Sequence, residues 1–192
     1  MFIEEIAPAV KELRYTCGMK EIELTDGVVR LVPFKLDYAG EHLAGDDEEN
    51  IKWLSGGISS IDTVKDWILR GLESWENDGP VLTFAIFDVM ENKLVGMTEA
   101  NSNPEAIDGL NEGNVNISYN VYPFARGKGY ATRAVLLLTE FLKEKRFTTA
   151  LIRVHPDNRN SLGVPERARF IRTRLITTAQ GEELIAFEKP LQ

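Results

Sequence analysis

The chain has 192 residues, of which 43% are hydrophobic and 27% charged, a balance that predicts one soluble globular domain. Its net charge of −8 argues against a general nucleic-acid-binding protein and is compatible with a cationic amine as ligand. Because Cys17 is the single cysteine, no intramolecular disulfide and no cysteine-rich metal site is expected, and a reduced, cytoplasmic setting is predicted. The sequence predicts neither a signal peptide nor a membrane-spanning segment.

The first fifty residues predict a mixture of helical and extended segments. Apolar residues at helical spacing between positions 2 and 13 predict an amphipathic helix within an N-terminal extension, residues 1–20. Residues 21–34 predict two short strands or one hairpin. A short helix is predicted over residues 37–45, and the acidic run 46–49 is interpreted as a solvated face or the start of a helix.

The next segment predicts a helix followed by an antiparallel pair of strands. Ser59-Ser60 offers a serine as N-cap, and apolar residues recur at helical spacing from Ile61 to Trp75. Residues 81–88 and 93–100 predict strands joined by a tight hairpin, and residues 101–113 predict a polar loop. No repeat or linker divides the sequence, so the whole chain is expected to form a single domain.

A strand, a glycine-bearing loop and a helix follow, and the rest of the chain is organised around them. Residues 116–121 alternate between polar and apolar side chains and predict a strand that ends before Pro123. The loop, residues 126–131, leads into an amphipathic helix that extends to about residue 146. A further strand over residues 150–154 completes a strand–helix–strand unit, which predicts a parallel crossover.

The loop before this helix has the composition of an anion-binding site. The first N–H groups of a helix lack internal partners, and Gly127 and Gly129 allow a phosphate to approach the backbone closely. Arg126 and Lys128 add positive charge, and an arginine can hold two phosphate oxygens. The spacing fits neither the P-loop nor the dinucleotide fingerprint. An ordinary turn into a surface helix is the alternative interpretation.

The end of the chain predicts a short helix and a closing hairpin. The helix is predicted to begin at Ser161, with Pro165 in its first turn, where a missing N–H is tolerated. Residues 170–177 and 183–188 predict strands on either side of a turn.

Two motifs resemble those of the GNAT N-acetyltransferase superfamily. The loop Arg126-Gly127-Lys128-Gly129-Tyr130-Ala131 is similar to the family's R/Q-x-x-G-x-G/A acetyl-CoA loop, and His155-Pro156-Asp157-Asn158-Arg159-Asn160-Ser161 resembles its P-x-N-x-x-S segment. The chain is most similar to the ribosomal-protein (Rim-type) branch, over residues 28–189. The resemblance implies an α/β (α+β) fold with a mixed, mostly antiparallel central sheet, splayed at the cofactor site, and helices on both faces.

The resemblance also implies that acetyl-CoA binds as co-substrate, without a metal ion. The pantetheine arm would run beside the strand that precedes the loop, and the pyrophosphate would lie on the loop. The implied binding residues are Tyr119, Val121, Arg126, Gly127, Lys128, Gly129, Tyr130, Ala131, Asn158 and Ser161.

The candidate catalytic residues depart from the family's pattern. Asn116 stands where many Rim-type members have a glutamate, and an amide cannot accept a proton, so Glu99 and Glu112 are the candidate general bases. Pro165 stands where the family commonly has a proton-donating tyrosine. Ser161 matches a serine to which this branch of the family assigns an acid role, so the resemblance implies that Ser161 protonates the leaving thiolate. Its alternative role is that of a helix N-cap.

Two arginines differ from the residues common in the family, and the chain has two histidines. Arg133 stands at a place often held by glutamate and would add positive charge near the phosphates, and Arg169 replaces the glycine of the family's Gly-Phe pair. His42 and His155 are too few for a metal site or a Ser-His-Asp hydrolase, and a structural role is expected for them.

Two functions follow from these observations. The first is an acetyl-CoA-dependent N-acetyltransferase in which a primary amine attacks the thioester directly in a ternary complex. The second is a catalytically weak or inactive acyl-CoA-binding sensor or interaction module, motivated by Asn116 and the missing tyrosine. The acceptor would be a small-molecule or peptide amine that the sequence does not identify. Neither nucleic acid nor a membrane is expected as a partner, and a monomer or homodimer is expected.

Overall fold

The computed structural model describes residues 10–16, 19–55 and 57–192. The strands in these residues are β1 (Val10–Thr16), β2 (Met19–Thr25), β3 (Val29–Pro33), β4 (Val81–Asp88), β5 (Lys93–Asn101), β6 (Asn114–Val121), β7 (Thr149–Val154), β8 (Ile171–Thr177) and β9 (Glu183–Pro190). They form one sheet in the order β1-β2-β3-β4-β5-β6-β7-β9-β8. Neighbouring strands pair antiparallel except β6 and β7, which are parallel as the crossover predicted.

The helices of the described residues are α1 (Ala39–Gly45), α2 (Glu48–Asn50), α3 (Ile61–Glu76), α4 (Tyr130–Glu144) and α5 (Arg159–Arg167). A π-helical turn, Ile51–Ser55, continues α2. Helices α1 and α3 pack into one core cluster of the sheet, whereas α4 and α5 pack into another. The predicted mixed, mostly antiparallel α/β sheet with helices on both faces is therefore confirmed.

The N-terminal segment differs from its prediction. Residues from Val10 onward form strand β1 rather than a helix, and β1 pairs with β2 along its whole length, from Val10 opposite Thr25 to Thr16 opposite Met19. Residues 1–9 of the predicted helix, like Cys17, lie outside the described residues. Apolar spacing does not account for the backbone hydrogen bonds that the edge of β2 offers to a second strand, and this pairing decides the conformation.

The core occupies both faces of the sheet. Helix α4 contributes a fully buried stripe to one face: Ala134, Val135, Leu138 and Leu142, each 0% exposed. On the other face, Val64 and Ile68 of α3 pack with Phe34 and Phe87. Burial of each large apolar side chain stabilises the fold by roughly 1.5–3 kcal/mol. Both stripes follow the helical spacing read from the sequence, which is why these two helices were predicted correctly.

The sheet opens between β6 and β7. These strands pair only where Asn114, Val115 and Asn116 lie opposite Thr149, Ala150 and Leu151. Strand β6 continues to Val121 in contact with β5 alone, since its residues from Asn116 to Val121 pair with β5. The predicted splay of the sheet is confirmed, and it creates a gap beside the second half of β6.

Helix α5 begins two residues before its predicted start. Asn158 is its N-cap, and the Asn158 Oδ1 accepts the Ser161 N–H at 3.2 Å. Ser161 is therefore not the N-cap, because Asn158 precedes it in the chain and satisfies the first turn. Pro165 lies inside the helix rather than in its first turn, so it cannot donate to the carbonyl of Ser161 four residues earlier.

The chain leaves α5 through Arg169, which has a positive φ of 65°. Its N–H donates to the Glu166 carbonyl at 3.0 Å, and the N–H of Phe170 donates to the Pro165 carbonyl at 2.9 Å. This left-handed helix end normally takes glycine, since a Cβ there is strained. The conformation explains why glycine suits this position and what its replacement by arginine changes.

Arg169→Gly is therefore expected to stabilise the protein by about 0.5–1 kcal/mol, because glycine adopts a positive φ without strain. Thermal unfolding should show a rise in Tm of roughly 1–4 °C. Arg172→Gly, a change of the same kind inside strand β8, should instead lower Tm. A Tm that is unchanged or lower in Arg169→Gly would show that the arginine side chain stabilises this helix end by more than the strain it introduces.

Candidate active site

A cleft of roughly 1250 Å³ lies at the gap between β6 and β7. Its walls come from the π turn after α2, the second half of β6, the loop before α4 and the start of α5. A pocket for one drug-sized ligand has about 300–1,000 Å³, so this cleft has room for a large ligand and part of a second one.

The N-terminus of α4 opens into this cleft with its first backbone N–H groups. Gly129 is the N-cap with φ 80°, no side chain caps the helix and no acidic residue lies in its first turn. Gly127 also has a positive φ, and a Cβ at either glycine would meet no atom within 4 Å. Helix α3, by contrast, carries a capping box made by Ser60 and Thr63. The loop thus leaves both the donors and the space that an anion requires.

Arg126 does not serve as the predicted phosphate ligand in this arrangement. Its Nη1 donates to Asp47 Oδ2 at 2.7 Å and to Glu49 Oε2 at 3.0 Å, and its Nη2 donates to Asp47 Oδ1 and Asn50 Oδ1, both at 2.9 Å. Its Nε donates to the Val121 carbonyl at 3.1 Å. A guanidinium has five N–H groups, and all of them are used. Arg126 therefore fixes the loop to α2 through Asp47 and Glu49 of the acidic run. The run is the start of a helix, one of its two predicted interpretations, with Asp47 as N-cap of α2.

Other cations are better placed to balance a phosphate. Arg133 forms an ion pair of 2.7 Å with the buried carboxylate of Asp26, so it does not add free positive charge as predicted. Lys128 is exposed on the loop, and Arg167 of α5 lines the cleft, where its Nε donates to Thr132 Oγ1 at 3.3 Å. Arg167 was missed from the sequence, since no motif position marks it.

Tyr119 and Val121 lie where the sequence predicted them, on β6 at the cleft. The Tyr119 hydroxyl donates to the Ser161 carbonyl at 3.2 Å. This carbonyl lacks the usual helical partner because residue 165 is a proline without an N–H. Tyr119 and Pro165 together thus determine how Ser161 is held. Ser161 lines the cleft, and its side chain also lies within hydrogen-bonding range of Tyr119: burial raises the pKa of this tyrosine, and the Ser161 side chain opposes the rise.

We expect Tyr119→Phe to destabilise the protein by about 1–2 kcal/mol, because the Ser161 carbonyl loses its donor while remaining partly buried. In the background of Pro165→Ala, whose N–H can bond this carbonyl, the loss should be smaller. Urea unfolding of the two single variants and the double variant measures the coupling. Equal losses in both backgrounds would disprove the link between Pro165 and the tyrosine hydroxyl.

Of the two predicted bases, the structure brings only Glu99 to the cleft. Glu99 is on β5, directly opposite Ser118, and its Oε2 accepts the Thr83 hydroxyl at 3.2 Å. Burial raises the pKa of Glu99, while hydrogen bonds from Thr83 and Trp67 oppose the rise. Glu112 is exposed in the turn before β6 and does not line the cleft. Glu99 is thus the better-placed proton acceptor.

The polar side chains of β6 face the same side of the sheet as Glu99. Asn116, Ser118 and Asn120 alternate along the strand, and all three line the cleft. The Asn116 Oδ1 accepts Arg153 Nε at 3.3 Å. Asn120 is only 6% exposed, and its Oδ1 has no hydrogen-bond partner in the described residues. This row was not predicted beyond Asn116, although its alternation is visible in the sequence.

The two histidines lie in different environments. The His42 ring stacks on Trp67, its Nδ1 lies 2.8 Å from the Tyr122 hydroxyl, and burial lowers its pKa to about 4. His42 is thus a neutral structural residue. His155 lines the cleft against Trp53, with ring centroids 4.9 Å apart. Across the residues described, no group of three or more His, Cys, Asp or Glu side chains is arranged to hold a metal ion.

Comparison with known proteins identifies the family. Residues 29–171 match the profile of the acetyltransferase (GNAT) domain, so the chain belongs to the GNAT acetyltransferase family. A comparison with curated proteins found no match. Within the part of the chain that is described, every helix is too short or too polar to pass through a lipid bilayer.

Solved structures share this fold at low sequence identity. A GNAT-family acetyltransferase from Bacillus anthracis has a TM-score of 0.71 and 16% identity, covering 85% of this chain and 95% of that one. A putative ribosomal-protein-serine acetyltransferase from Vibrio cholerae has a TM-score of 0.69 and 18% identity, covering 88% and 97%. AAC(6')-Ib in complex with paromomycin and acetyl-CoA has a TM-score of 0.71 and 17% identity, covering 85% and 93%. The predicted resemblance to this superfamily, with Rim-type proteins among its neighbours, is confirmed.

Proposed function

We propose that this protein transfers an acetyl group from acetyl-CoA to a primary amine, with both substrates bound in the cleft at once. The observation that carries the proposal is the uncapped N-terminus of α4, which opens onto the same cleft as the Glu99 carboxylate. Acetyl transfer to an amine requires an anion site for the donor and a proton acceptor for the nucleophile, and this cleft provides both.

The residues of the cleft fit acetyl-CoA. The backbone of Gly127, Lys128, Gly129, Tyr130 and Ala131 would hold the pyrophosphate, with Lys128 and Arg167 as its counter-charges. The gap beside β6 would take the pantetheine arm, along Tyr119 and Val121 and next to Asn158. When bound, acetyl-CoA supplies an activated acyl group with a thiolate as leaving group.

The residues of this chain would then manage the protons and the charge. Glu99 takes a proton from the amine, and its raised pKa makes it a stronger base than an ordinary carboxylate. Pairing between β6 and β7 stops after Asn116. Backbone N–H groups on that edge of β6 would stabilise negative charge on the acyl oxygen. Ser161 donates its hydroxyl proton towards the departing sulfur.

The residues of the cleft weaken the case for the alternative function, a binding module without activity. This alternative rested on Asn116 and on the missing tyrosine at Pro165. Glu99 and the Ser161 hydroxyl offer a proton acceptor and a proton donor other than the side chains at those two positions. A cytoplasmic location and a monomeric or homodimeric state remain predictions from the sequence.

Calorimetric titration with acetyl-CoA, followed by a thiol-release assay across a panel of primary amines, tests the proposal. Micromolar binding and amine-dependent thiol release are the expected results. Binding without release on any amine would favour the binding module. A folded protein that does not bind acetyl-CoA would overturn both functions.

A further inference from the structure

One charged side chain in the cleft has no role in the mechanism above. Arg153 of β7 is partly buried. Its Nε donates to Asn116 Oδ1 and its Nη1 donates to the Asp108 carbonyl, each at 3.3 Å. It forms no ion pair with a described residue. Burial lowers the pKa of Arg153, yet a guanidinium stays charged at neutral pH. A desolvated charge without a counter-charge is unfavourable, so the site is suited to an incoming anion.

The nearby acids do not fill that place. Asp108 raises the pKa of Arg153 through its charge, but the Asp108 Oδ2 accepts the Ala179 N–H at 3.3 Å, on the β8–β9 turn. Glu182, on the same turn, lines the cleft without forming an ion pair with Arg153. Arg126 and Arg133, by contrast, have carboxylate partners at 2.7 Å. Two cleft arginines, Arg153 and Arg167, thus have no carboxylate at contact distance among the described residues. Arg167 is exposed and is already assigned to the pyrophosphate, whereas Arg153 is partly buried.

The sheet brings Glu99 and Arg153 to either side of β6. Glu99 of β5 lies opposite Ser118 of β6, and Asn116 lies opposite Leu151 of β7. Continued two residues beyond this last pair, the register would bring Arg153 level with Ser118, and the Arg153 Nε contacts Asn116 Oδ1 on the same face. Strands are about 4.8 Å apart, so the Cα atoms of Glu99 and Arg153 are separated by about 10 Å or more where the sheet is splayed.

A third polar group on this face is the Asn120 side chain. The Asn120 Oδ1 is buried, lines the cleft and has no donor in the described part of the chain. Asn120 lies two residues beyond Ser118, on the same face of β6. Ile107 and Leu184 add apolar wall to the same cleft. The face therefore offers acceptors for an amine at one end and donors for an anion at the other.

We propose that the acceptor is a small amine that also carries a carboxylate, such as an amino acid or a short peptide, with the amine towards Glu99 and Asn120 and the carboxylate on Arg153. This inference rests on the proposed function. In the transfer, the amine nitrogen forms a bond to the acetyl carbon, the carbon–sulfur bond breaks, the amine proton passes to Glu99, and the sulfur leaves as the thiol of CoA after gaining a proton. A planar carboxylate suits the guanidinium, which can donate two parallel hydrogen bonds.

Matched pairs of amines test the inference. Thiol release is measured for L-alanine, β-alanine, γ-aminobutyrate and L-alanyl-glycine, each beside its carboxamide, with wild type, Arg153→Met and Arg153→Lys. We expect wild type to prefer at least one of these acids over its amide by about 10- to 100-fold in kcat/KM, mainly through KM. Arg153→Met should lose that preference, Arg153→Lys should keep part of it, and the acetyl-CoA affinity should not change.

Arg174 provides a control for a purely structural role. Its Nη2 donates to the Gly109 carbonyl at 2.8 Å, so it anchors the same loop as Arg153, and it is paired with Glu188 outside the cleft lining. Arg174→Met should leave the preference for the acid intact. If Arg153→Met lowered the rates of acid and amide equally, or if wild type used both equally well, the inference would be overturned.

A binding measurement separates this inference from the proposed function. In the presence of CoA, the preferred acid should raise the Tm of wild type more than its amide does, and Arg153→Met should remove the difference. Binding of the acid without turnover would support the acceptor site while contradicting the proposed enzyme. Turnover of the amides with no preference for the acids would support the enzyme and overturn the acceptor class.

Discussion

Gly129→Glu is expected to weaken acetyl-CoA binding by more than about 100-fold, which corresponds to about 2.7 kcal/mol. Gly129 caps α4 in a left-handed conformation, and a side chain there projects into open space at the helix N-terminus. A carboxylate in that space would occupy the anion site and repel a pyrophosphate. Calorimetric titration of acetyl-CoA into wild type and variant gives the two dissociation constants.

The control must carry the same backbone strain without touching the cleft. Gly27 has φ 82°, a Cβ there would meet no atom within 4 Å, and the residue does not line the cleft. Gly27→Glu should therefore show a comparable loss of stability with unchanged acetyl-CoA affinity. Retained affinity in folded Gly129→Glu would place the pyrophosphate elsewhere and remove the main support for the proposed function.

Glu99→Gln is expected to lower kcat by about 100- to 1000-fold while leaving acetyl-CoA binding unchanged, since it removes the proton acceptor and preserves the shape of the side chain. Burial raises the pKa of Glu99 above its ordinary value of 4.5. The base must be ionised to act, so kcat in wild type should rise with pH through this raised pKa, and the variant should lose that rise. The measurement is kcat against pH with saturating substrates.

The same pKa shift predicts a change in stability. A carboxyl whose pKa is raised by folding contributes most below its unfolded-state pKa, and that contribution is lost as the pH rises through the folded-state pKa. Glu99→Gln should therefore lessen the decline of the unfolding free energy over that pH range. Glu112→Gln is the matched control, since Glu112 is exposed and outside the cleft, and it should change neither kcat nor stability. If Glu112→Gln lost activity and Glu99→Gln did not, the assignment of the base would be reversed.

Several elements were predictable because local interactions determine them. The stripes of α3 and α4 follow helical spacing, and the alternating residues of β4 to β6 form strands. Two other predictions were wrong because a distant strand or a neighbouring residue competes with the local sequence pattern. Strand β1 forms because β2 offers it backbone partners, and α5 begins early because Asn158 is the cap that precedes Ser161.

The charged residues of the site also divide into features that the sequence predicts and features that depend on distant residues. The sequence predicted Arg126 and Lys128 as phosphate ligands and Arg133 as added positive charge near them. Yet Arg126 is fully used by groups that include Asp47, 79 positions away, and Arg133 pairs with Asp26, 107 positions away. Whether an arginine is free depends on which carboxylates lie near it in space, because Coulomb energy falls with distance between the charges and not with separation along the chain. No spacing rule in the sequence carries that information.

The sequence by itself determined most strands and helices from α3 onward and the glycine loop before α4, because glycine backbone freedom and apolar periodicity act over a few residues. The family followed from the resemblance of two motifs to those of the GNAT superfamily. Only the tertiary structure decided which acid reaches the cleft, which arginines are neutralised and how Tyr119 meets Ser161. It also brought Glu99 of β5 and Arg153 of β7 to either side of β6, where Glu99 lies opposite Ser118 and Arg153 contacts Asn116. These facts depend on strand register and on ion pairs between distant segments, which form only when the whole sheet is assembled.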